Sequence, residues 1–202
     1  KRTVKADKLL VATGRKPVTE GLGLENTDIK LDERGAIKVD DYLRTTAENV
    51  WAIGDVKGGP QFTYISLDDF RIIFDQLYGK GERKVSDRKL VPYSVFTTPA
   101  LSRVGLNEVE AKNKGIEYKL FKLAATSIPK AKVIGNTRGM YKILVNPDTK
   151  EILGATIYGE ESYEVINLIA LAMKAKLPYT MLRNQIYTHP TMSEALNDVL
   201  KG

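Results

Sequence analysis

The sequence predicts a mixed fold in which an α/β portion is followed by an α+β portion. In residues 1–85, short apolar runs end in glycine and a helical pattern follows them, which is typical of an α/β arrangement. In residues 86–202, strand patterns are joined by short turns, which indicates an antiparallel sheet accompanied by helices. The polar, glycine-bearing segment at residues 79–89 indicates a domain boundary between the two portions.

The first portion contains two predicted buried strands, a hairpin and one helix. Residues 3–12 and residues 49–56 are apolar runs that end next to glycine, and such runs favour buried strands. Between them, KLDERGAIKV predicts a hairpin whose turn is DERG. A helical pattern begins near Thr63 and ends at Gly79. The residues expected mostly on one apolar face of this helix are Ile65, Phe70, Ile73, Phe74 and Leu77.

The second portion alternates short strands with short helices. The predicted strands are PYSVFT, SRVGL and residues 118–125, 139–145 and 152–158, and NPDTKE forms the turn between the last two. The predicted helices are EVEAKNKG after Asn107, a longer one containing Tyr163 and Met173, and two at residues 177–184 and 193–200. Short connections between neighbouring strands are what predict the antiparallel pairing.

Composition excludes several kinds of function. The chain has no cysteine, which rules out disulfides, thiolate metal sites and a thiol nucleophile among these 202 residues. This composition fits a cytoplasmic protein. With a single histidine we also expect no structural zinc site. No apolar run is long enough for a transmembrane helix, so we expect no membrane partner.

The net charge of +6 comes from 31 basic and 25 acidic residues that are spread along the chain. Basic clusters are interrupted by acids, which favours a mixed, solvated surface over nucleic-acid binding. We therefore expect no nucleic-acid partner, while affinity for anionic small molecules stays open. The opening KRTVKADKLLVATG has neither an initiator methionine nor the layout of a signal peptide. This opening predicts that the chain begins inside a longer protein.

Small and polar residues follow both predicted strands of the first portion. Thr13, Gly14 and Arg15 follow the first strand, and Gly54 and Asp55 end the second. In open α/β sheets, ligands bind outside the carboxyl ends of the strands. Glycine there lets a ligand approach the backbone, an aspartate accepts hydrogen bonds from hydroxyls, and an arginine binds phosphate. Ordinary turns would show the same residues, so this pattern alone leaves both interpretations open.

The start of the helix at Thr63 offers a second element of a ligand site. A helix N-terminus has unsatisfied N–H groups and a partial positive charge. It can therefore stabilise an anion, including a reduced flavin ring. A packed crossover helix explains the same pattern, and the two interpretations are compatible.

The stretch IYTHPTMSEALNDVL contains His189, the only histidine of the chain, five residues before Glu194. Histidine can accept and return a proton near neutral pH, and a carboxylate beside it would orient the ring. A structural interpretation also fits, because Thr191-Met-Ser-Glu194 matches the capping box that begins a helix. His189 before Pro190 would then be a turn residue.

Four motifs occur in order: ATGRKP, TTAENVWAIGDV, FTYISLDDFR and HPTMSE. Together they resemble the class I pyridine nucleotide–disulfide oxidoreductases, which include dihydrolipoamide dehydrogenase, glutathione reductase and mercuric reductase. The resemblance extends over essentially all 202 residues but corresponds only to the C-terminal portion of that family. The segment from GATIYGEES to the end is most similar to the bacterial branch implicated in resistance to reactive chlorine and hypothiocyanous acid.

The resemblance implies a partial FAD/NAD(P)-binding domain in residues 1–85 and a dimerisation domain in residues 86–202. It implies that Arg15 lies near the FAD pyrophosphate and that Asp55 holds a ribityl hydroxyl. The backbone N–H of Thr63 would face the flavin, and NADH or NADPH would supply electrons. It also implies a homodimer that acts on a small oxidised substrate.

For His189 and Glu194 the resemblance implies a catalytic acid/base pair that acts across the dimer on the partner's cysteines and flavin. The family's glycine-rich nucleotide motifs and its C-x4-C pair are absent from this sequence. The chain is therefore expected to be a fragment of the complete oxidoreductase, inactive alone, rather than a relic without redox activity. A non-catalytic dimerisation or interaction module remains the alternative.

Overall fold

The computed structural model describes residues 2–201 and contains two compact units, one ending at Lys89 and the other beginning at Leu90. The first unit contains one α-helix, α1 (Thr63–Tyr78), and its described residues form no β-strand. Extended pairing in that unit is limited to single bridges, Leu31 with Ile37 and Arg44 with Trp51. Within residues 2–201, no helix is both long and apolar enough to cross a lipid bilayer.

The predicted DERG turn is confirmed. The N–H of Gly35 donates to the carbonyl of Asp32 at 3.0 Å, which closes the turn. The carboxylate of Asp32 accepts the N–H groups of Arg34 and Ala36, each at 2.8 Å. These bonds to the backbone lower the pKa of Asp32 and outweigh the opposing effect of burial.

The two predicted buried strands of the first unit are wrong. Residues 3–12 form no strand, and Leu9 and Leu10 are 86% and 88% exposed. Residues 49–56 form a single bridge, at Trp51, and their last residues belong to a short 3-10 turn, Gly54–Lys57. A strand needs a neighbour to complete its ladder of hydrogen bonds. Within the described residues of this unit, the first run has no such neighbour, and the second run pairs with residues 43–45 over a single bridge.

Helix α1 is confirmed, and Gly79 follows its last residue as predicted. The predicted face is confirmed only for Ile65, because the helix buries Asp69 and Ile72 beside it, while Phe70, Phe74 and Leu77 are exposed. The three buried residues lie at i, i+4 and i+7 on the side that contacts the Gly54–Lys57 turn. The outward face carries a row of aromatic rings whose centroids are 5.7 and 5.2 Å apart, formed by Phe70, Phe74 and Tyr78.

The second unit contains a five-stranded antiparallel sheet, which confirms the predicted sheet. The strands are β1 (Tyr93–Val95), β2 (Leu101–Gly105), β3 (Lys119–Ala124), β4 (Met140–Val145) and β5 (Ile152–Tyr158). Their order in the sheet is β1-β2-β5-β4-β3, and all four pairings are antiparallel. Asn146 begins the predicted β4–β5 turn, where its side chain accepts the N–H groups of Asp148 and Thr149.

Five helices accompany the sheet: α2 (Glu108–Asn113), α3 (Pro129–Ile134), α4 (Ser162–Lys174), α5 (Tyr179–Asn184) and α6 (Ala195–Val199). Asn107 caps α2 as predicted, and Glu110 completes a capping box. Helix α3 was not predicted, although Pro129 in its first turn and left-handed Gly135 after its end are typical boundaries.

The core of the second unit lies between the sheet and its helices. Helix α4 contacts β2 and β5, and α6 contacts β3 and β4. The largest buried side chains in this core include Tyr141, Ile143, Ile157, Ile166, Ile169 and Leu196. Because α6 packs directly on the sheet, the loop before α6 is held close to a rigid surface.

Candidate functional site

The loop between α5 and α6 carries His189. Thr191 fixes the centre of this loop, since its hydroxyl donates to the carbonyl of Thr188 at 2.9 Å and accepts the N–H of Glu194 at 3.2 Å. The buried hydroxyl of Tyr141 on β4 donates to the carbonyl of Met192 at 3.3 Å. The backbone around His189 is therefore tied both to itself and to the central part of the sheet.

The structure brings His189 and Glu194 together. Nδ1 of His189 lies 2.9 Å from Oε2 of Glu194, and the histidine side chain is 71% exposed while the glutamate side chain is only 15% exposed. An ionised carboxylate can only accept, so Nδ1 is the donor in this bond. Nε2 then remains available for a ligand, since it has no hydrogen-bond partner within residues 2–201. The geometry is that of an oriented imidazole with one nitrogen open to solvent.

The predicted capping box at Thr191 is only half formed. The N–H of Glu194 reaches the hydroxyl of Thr191, but the carboxylate of Glu194 bonds His189 instead of returning to the backbone of Thr191. Helix α6 accordingly begins at Ala195, later than the predicted start at residue 193. The Glu194 side chain cannot reach His189 and the backbone N–H of Thr191 in the same conformation. Here it bonds the imidazole N–H, so the backbone N–H is left without it. The other oxygen of Glu194 is buried and accepts no hydrogen bond from the described residues.

One buried tyrosine, Tyr141, and one half-buried tyrosine, Tyr187, support the same loop. Desolvation, and secondarily the charge of Glu161, raises the pKa of Tyr141 far above its ordinary value. Desolvation raises the pKa of Tyr187 to about 12. The hydroxyl of Tyr187 donates to the carbonyl of Leu182 at 3.0 Å, at the end of α5. Both phenols therefore stay neutral donors across the physiological pH range.

In the first unit, Arg15 approaches the start of α1. Its Nη1 lies 3.4 Å from the carbonyl oxygen of Gln61, two residues before Thr63. Thr13 and Gly14 precede it on the exposed segment, and Gly14 has a φ of +76° with open space where a side chain would lie. The structure thus brings Arg15, but not Thr13 or Gly14, into contact with the residues before the helix N-terminus.

Gly54 and Asp55 lie beside the same helix. Gly54 has a φ of +71°, and a Cβ there would lie 3.0 Å from the hydroxyl oxygen of Ser66 on α1. Its N–H donates to Oδ2 of Asp69 at 2.8 Å. Asp55 is exposed, and its carboxylate has no hydrogen-bond or ion-pair partner within the described chain. It is therefore free to accept hydrogen bonds from a ligand.

These residues fit the FAD that the resemblance implies. The carboxylate of Asp55 has open acceptor capacity for hydroxyl groups, and the N–H of Thr63 at the start of α1 has no partner in the described chain. Gly14 has open space where a side chain would lie, and Arg15 places a cation near the same helix end. In contrast, no group of three His, Cys, Asp or Glu side chains within residues 2–201 could hold a metal ion.

Sequence reasoning missed two residues that hold these sites in place. Asp69 contacts Gly54 from the buried face of α1, and its spacing from Ile65 and Ile72 was the available signal. Tyr141 and Ile143 are two residues apart and lie on the same buried face of β4. A buried tyrosine hydroxyl needs a hydrogen-bond partner, and this spacing was the available signal. Neither could be linked to its partner from spacing alone, because Gly54 and Met192 are distant in sequence.

Comparison with known protein families identifies both parts of the chain. Residues 91–200 match the family model described as "Pyridine nucleotide-disulphide oxidoreductase, dimerisation domain". Residues 1–69 match the model described as "Pyridine nucleotide-disulphide oxidoreductase". Together these two matches account for most of the sequence.

Curated relatives agree with these models. The probable pyridine nucleotide-disulfide oxidoreductase RclA of Escherichia coli K12 is 53% identical over 193 residues, covering 96% of this chain and 44% of the relative. A mercuric reductase of Staphylococcus aureus is 37% identical over 195 residues, covering 96% of this chain and 36% of the relative. The chain therefore spans less than half of the length of these relatives.

Solved structures show the same likeness. The structure described as HOCl-induced flavoprotein disulfide reductase RclA from Escherichia coli superposes with a TM-score of 0.94 at 52% identity, covering 96% of this chain and 45% of that one. Nearly all residues of this chain thus share their backbone arrangement with part of an experimentally determined flavoprotein. On the evidence of the two family models and these relatives, the chain belongs to the pyridine nucleotide-disulphide oxidoreductase family.

Proposed function

We propose that this chain is the C-terminal part of an FAD-dependent oxidoreductase that takes electrons from NADH or NADPH and reduces a small oxidised substrate through a cysteine pair. The observation that carries the proposal is the 2.9 Å bond between Nδ1 of His189 and Oε2 of Glu194, which leaves Nε2 exposed. When bound, FAD would supply the redox chemistry that couples hydride donation by NADH or NADPH to the two-electron reduction of a disulfide. Residues 1–85 would complete the nucleotide-binding domains, and residues 86–202 would form the dimerisation domain.

His189 would act as the acid and base for the thiols. Disulfide exchange needs a thiolate to attack and a leaving thiolate to be protonated. Nε2 of His189 would accept the proton from one thiol and return it to the leaving sulfur. Glu194 would hold the ring in the tautomer with a proton on Nδ1 and would stabilise the imidazolium formed in between.

The first unit would contribute to FAD binding. Asp55 would accept a hydrogen bond from a ribityl hydroxyl, and the N–H of Thr63 at the start of α1 would face the flavin ring. Arg15 would lie near the pyrophosphate, where its guanidinium can donate to more than one oxygen. Thr13, Gly14 and Gly54 would let the cofactor approach the backbone.

Two copies of the chain would pair through the second unit as a homodimer. The second unit has an exposed apolar surface formed by Phe96, Tyr163, Leu168 and Leu171, which we call the α4 face. The rings of Phe96 and Tyr163 are 5.6 Å apart, so this surface is partly preformed. The match to a dimerisation domain supports a second copy as its occupant. A symmetric dimer uses the same patch on both subunits, and His189 would serve the thiols and flavin of the partner subunit.

The test uses the complete protein with His189→Gln or Glu194→Gln. We expect His189→Gln to lower turnover by about 10²–10⁴-fold, the usual contribution of a general acid/base, while flavin content stays the same. Glu194→Gln is expected to lower turnover less, because the ring remains. Asp198→Asn serves as the control, since it removes an exposed carboxylate of α6 that pairs, within residues 2–201, only with Lys201. Turnover of His189→Gln equal to that of the control would show that the pair has no part in catalysis, as in a pure dimerisation module.

A further inference from the structure

Helix α1 buries a carboxylate where an apolar residue would be expected. Asp69 is fully buried and is the only buried carboxylate among residues 2–201. A buried charge is unfavourable unless it is paired and hydrogen-bonded. Arg88 donates to its Oδ1, and Nζ of Lys57, which is 6% exposed, lies 3.5 Å from its Oδ2. Two cations thus supply the countercharge for Asp69 inside the first unit.

The remaining contact of Asp69 is with the turn that carries Asp55. Oδ2 accepts the N–H of Gly54 at 2.8 Å. Ser66, on the same helix, lies so close to Gly54 that a Cβ there would be 3.0 Å from its hydroxyl oxygen. The Gly54 peptide is therefore held against α1 by the hydrogen bond to Asp69, and only a residue without a Cβ fits beside Ser66. Asp55 follows directly, with its own carboxylate unpaired in the described chain.

The neighbouring carboxylate has a different role. Asp68 bonds Arg83 and Arg88 but makes no hydrogen bond with Gly54. Burial opposes ionisation of Asp68, yet the hydrogen bonds from Arg83 and Arg88 prevail and lower its pKa. Asp68 and Asp69 share Arg88 and adjoin in sequence, so they form a matched pair that differs in the bond to Gly54.

We propose that Asp69 is a positioning residue for flavin binding, holding the Gly54 amide so that Asp55 presents its carboxylate to the hydroxyls of the ribityl chain. This inference rests on the proposed function. Asp69 itself does not touch the cofactor; it acts through the backbone of Gly54. Its effect on FAD binding therefore passes through Asp55, and the two residues are energetically coupled.

The experiment is a double-mutant cycle in the complete protein. Apoprotein of the wild type, Asp55→Ala, Asp69→Ala and the double variant is titrated with FAD, and quenching of flavin fluorescence gives each dissociation constant. Each single substitution is expected to weaken FAD binding about tenfold, the order of one hydrogen bond to a charged group. The double variant is expected to bind no more weakly than Asp55→Ala alone. Additive losses, or an unchanged constant for Asp69→Ala, would overturn the inference.

Two further variants separate positioning from folding. Asp69→Asn retains an acceptor for the Gly54 N–H and is expected to recover most of the FAD affinity even where the thermal midpoint falls. Asp68→Ala loses ion pairs with Arg83 and Arg88 and is expected to lower the thermal midpoint while its FAD affinity stays within about twofold of the wild type. Equal FAD affinities for Asp69→Asn and Asp69→Ala would contradict this inference but would leave the proposed function standing. A wild-type apoprotein that binds no FAD would overturn the proposed function itself.

Discussion

The hydroxyl of Tyr141, in the middle of the sheet, donates a hydrogen bond to the main-chain carbonyl of Met192, three residues beyond His189. Both residues are buried, so water cannot replace either partner. Tyr141→Phe should therefore lower the free energy of unfolding by about 1–3 kcal/mol, the cost of leaving a buried carbonyl unsatisfied. Urea unfolding near neutral pH measures this loss, and an unchanged midpoint would show that the bond contributes nothing.

The same phenol predicts a sensitivity to alkali. Burial raises the pKa of Tyr141 above its ordinary value of 10.0, so the unfolded chain releases this proton first. The stabilisation is complete below pH 10.0 and is lost as pH rises above it. The difference in unfolding free energy between wild type and Tyr141→Phe should therefore shrink at high pH. A constant difference across this range would contradict the assignment.

Asn197 on α6 closes the end of α5. Its Nδ2 donates to the carbonyls of Arg183 at 2.7 Å and Gln185 at 3.0 Å. These carbonyls lie at the end of α5, where the helix provides no further N–H donors. Asn197→Ala should cost about 1–3 kcal/mol of stability and should accelerate amide hydrogen exchange in the loop up to His189. Asn197→Asp is the matched variant, because it has the same shape but lacks the donor. It should be at least as unstable as the alanine variant.

Asp75 organises the residues that follow α1. Its carboxylate accepts the N–H of Arg83 at 2.8 Å and that of Lys80 at 3.2 Å. The backbone bond from Arg83 is the main reason that its pKa lies below 3.8. This stabilisation is present above pH 3.8 and is lost as pH falls through the lower value of the folded protein. In urea unfolding near neutral pH, the wild type should therefore have a higher free energy of unfolding than Asp75→Asn. This difference in free energy should become smaller at pH about 3.

The α4 face predicts the oligomeric state. Leu171 is 65% exposed on it, and a charge there would have to be desolvated in a symmetric dimer. Leu171→Glu should convert the dimer to a monomer in sedimentation velocity, with the helical content unchanged. Val133→Glu on α3, at a residue 70% exposed and outside this face, is the control and should leave the dimer intact. A wild-type protein that sediments as a monomer at micromolar concentration would disprove the proposed pairing.

The second unit was largely predictable because its signals are local. The strand at Ile152–Tyr158 is an apolar run that follows a strong turn, and Asn107 begins a helix with the expected cap. In the first unit the same kind of reasoning placed α1 but failed for residues 3–12. An apolar run predicts that a segment will be buried, whereas a strand also depends on a partner that the run itself does not specify.

The candidate site shows a similar division. Sequence motifs brought His189 and Glu194 together, and the structure places them in contact. The capping-box pattern failed for the carboxylate of Glu194 because a side chain competes with the backbone for it, and spacing alone does not decide that competition. The buried face of α1 was misjudged beyond Ile65 because an acidic residue, Asp69, takes an apolar position where Lys57 and Arg88 pair with it. Such pairing links residues far apart in sequence and leaves no periodic signal.

The exposure of His189 has a genetic consequence. A side chain that lies mostly in solvent can be replaced with little effect on the fold of its own subunit. If it serves the partner, the defect appears in the other subunit's redox centre. Two inactive alleles, one lacking this histidine and one lacking the redox cysteines, would then assemble mixed dimers with a single working centre. Such complementation between alleles would identify the protein as one whose active unit is the pair.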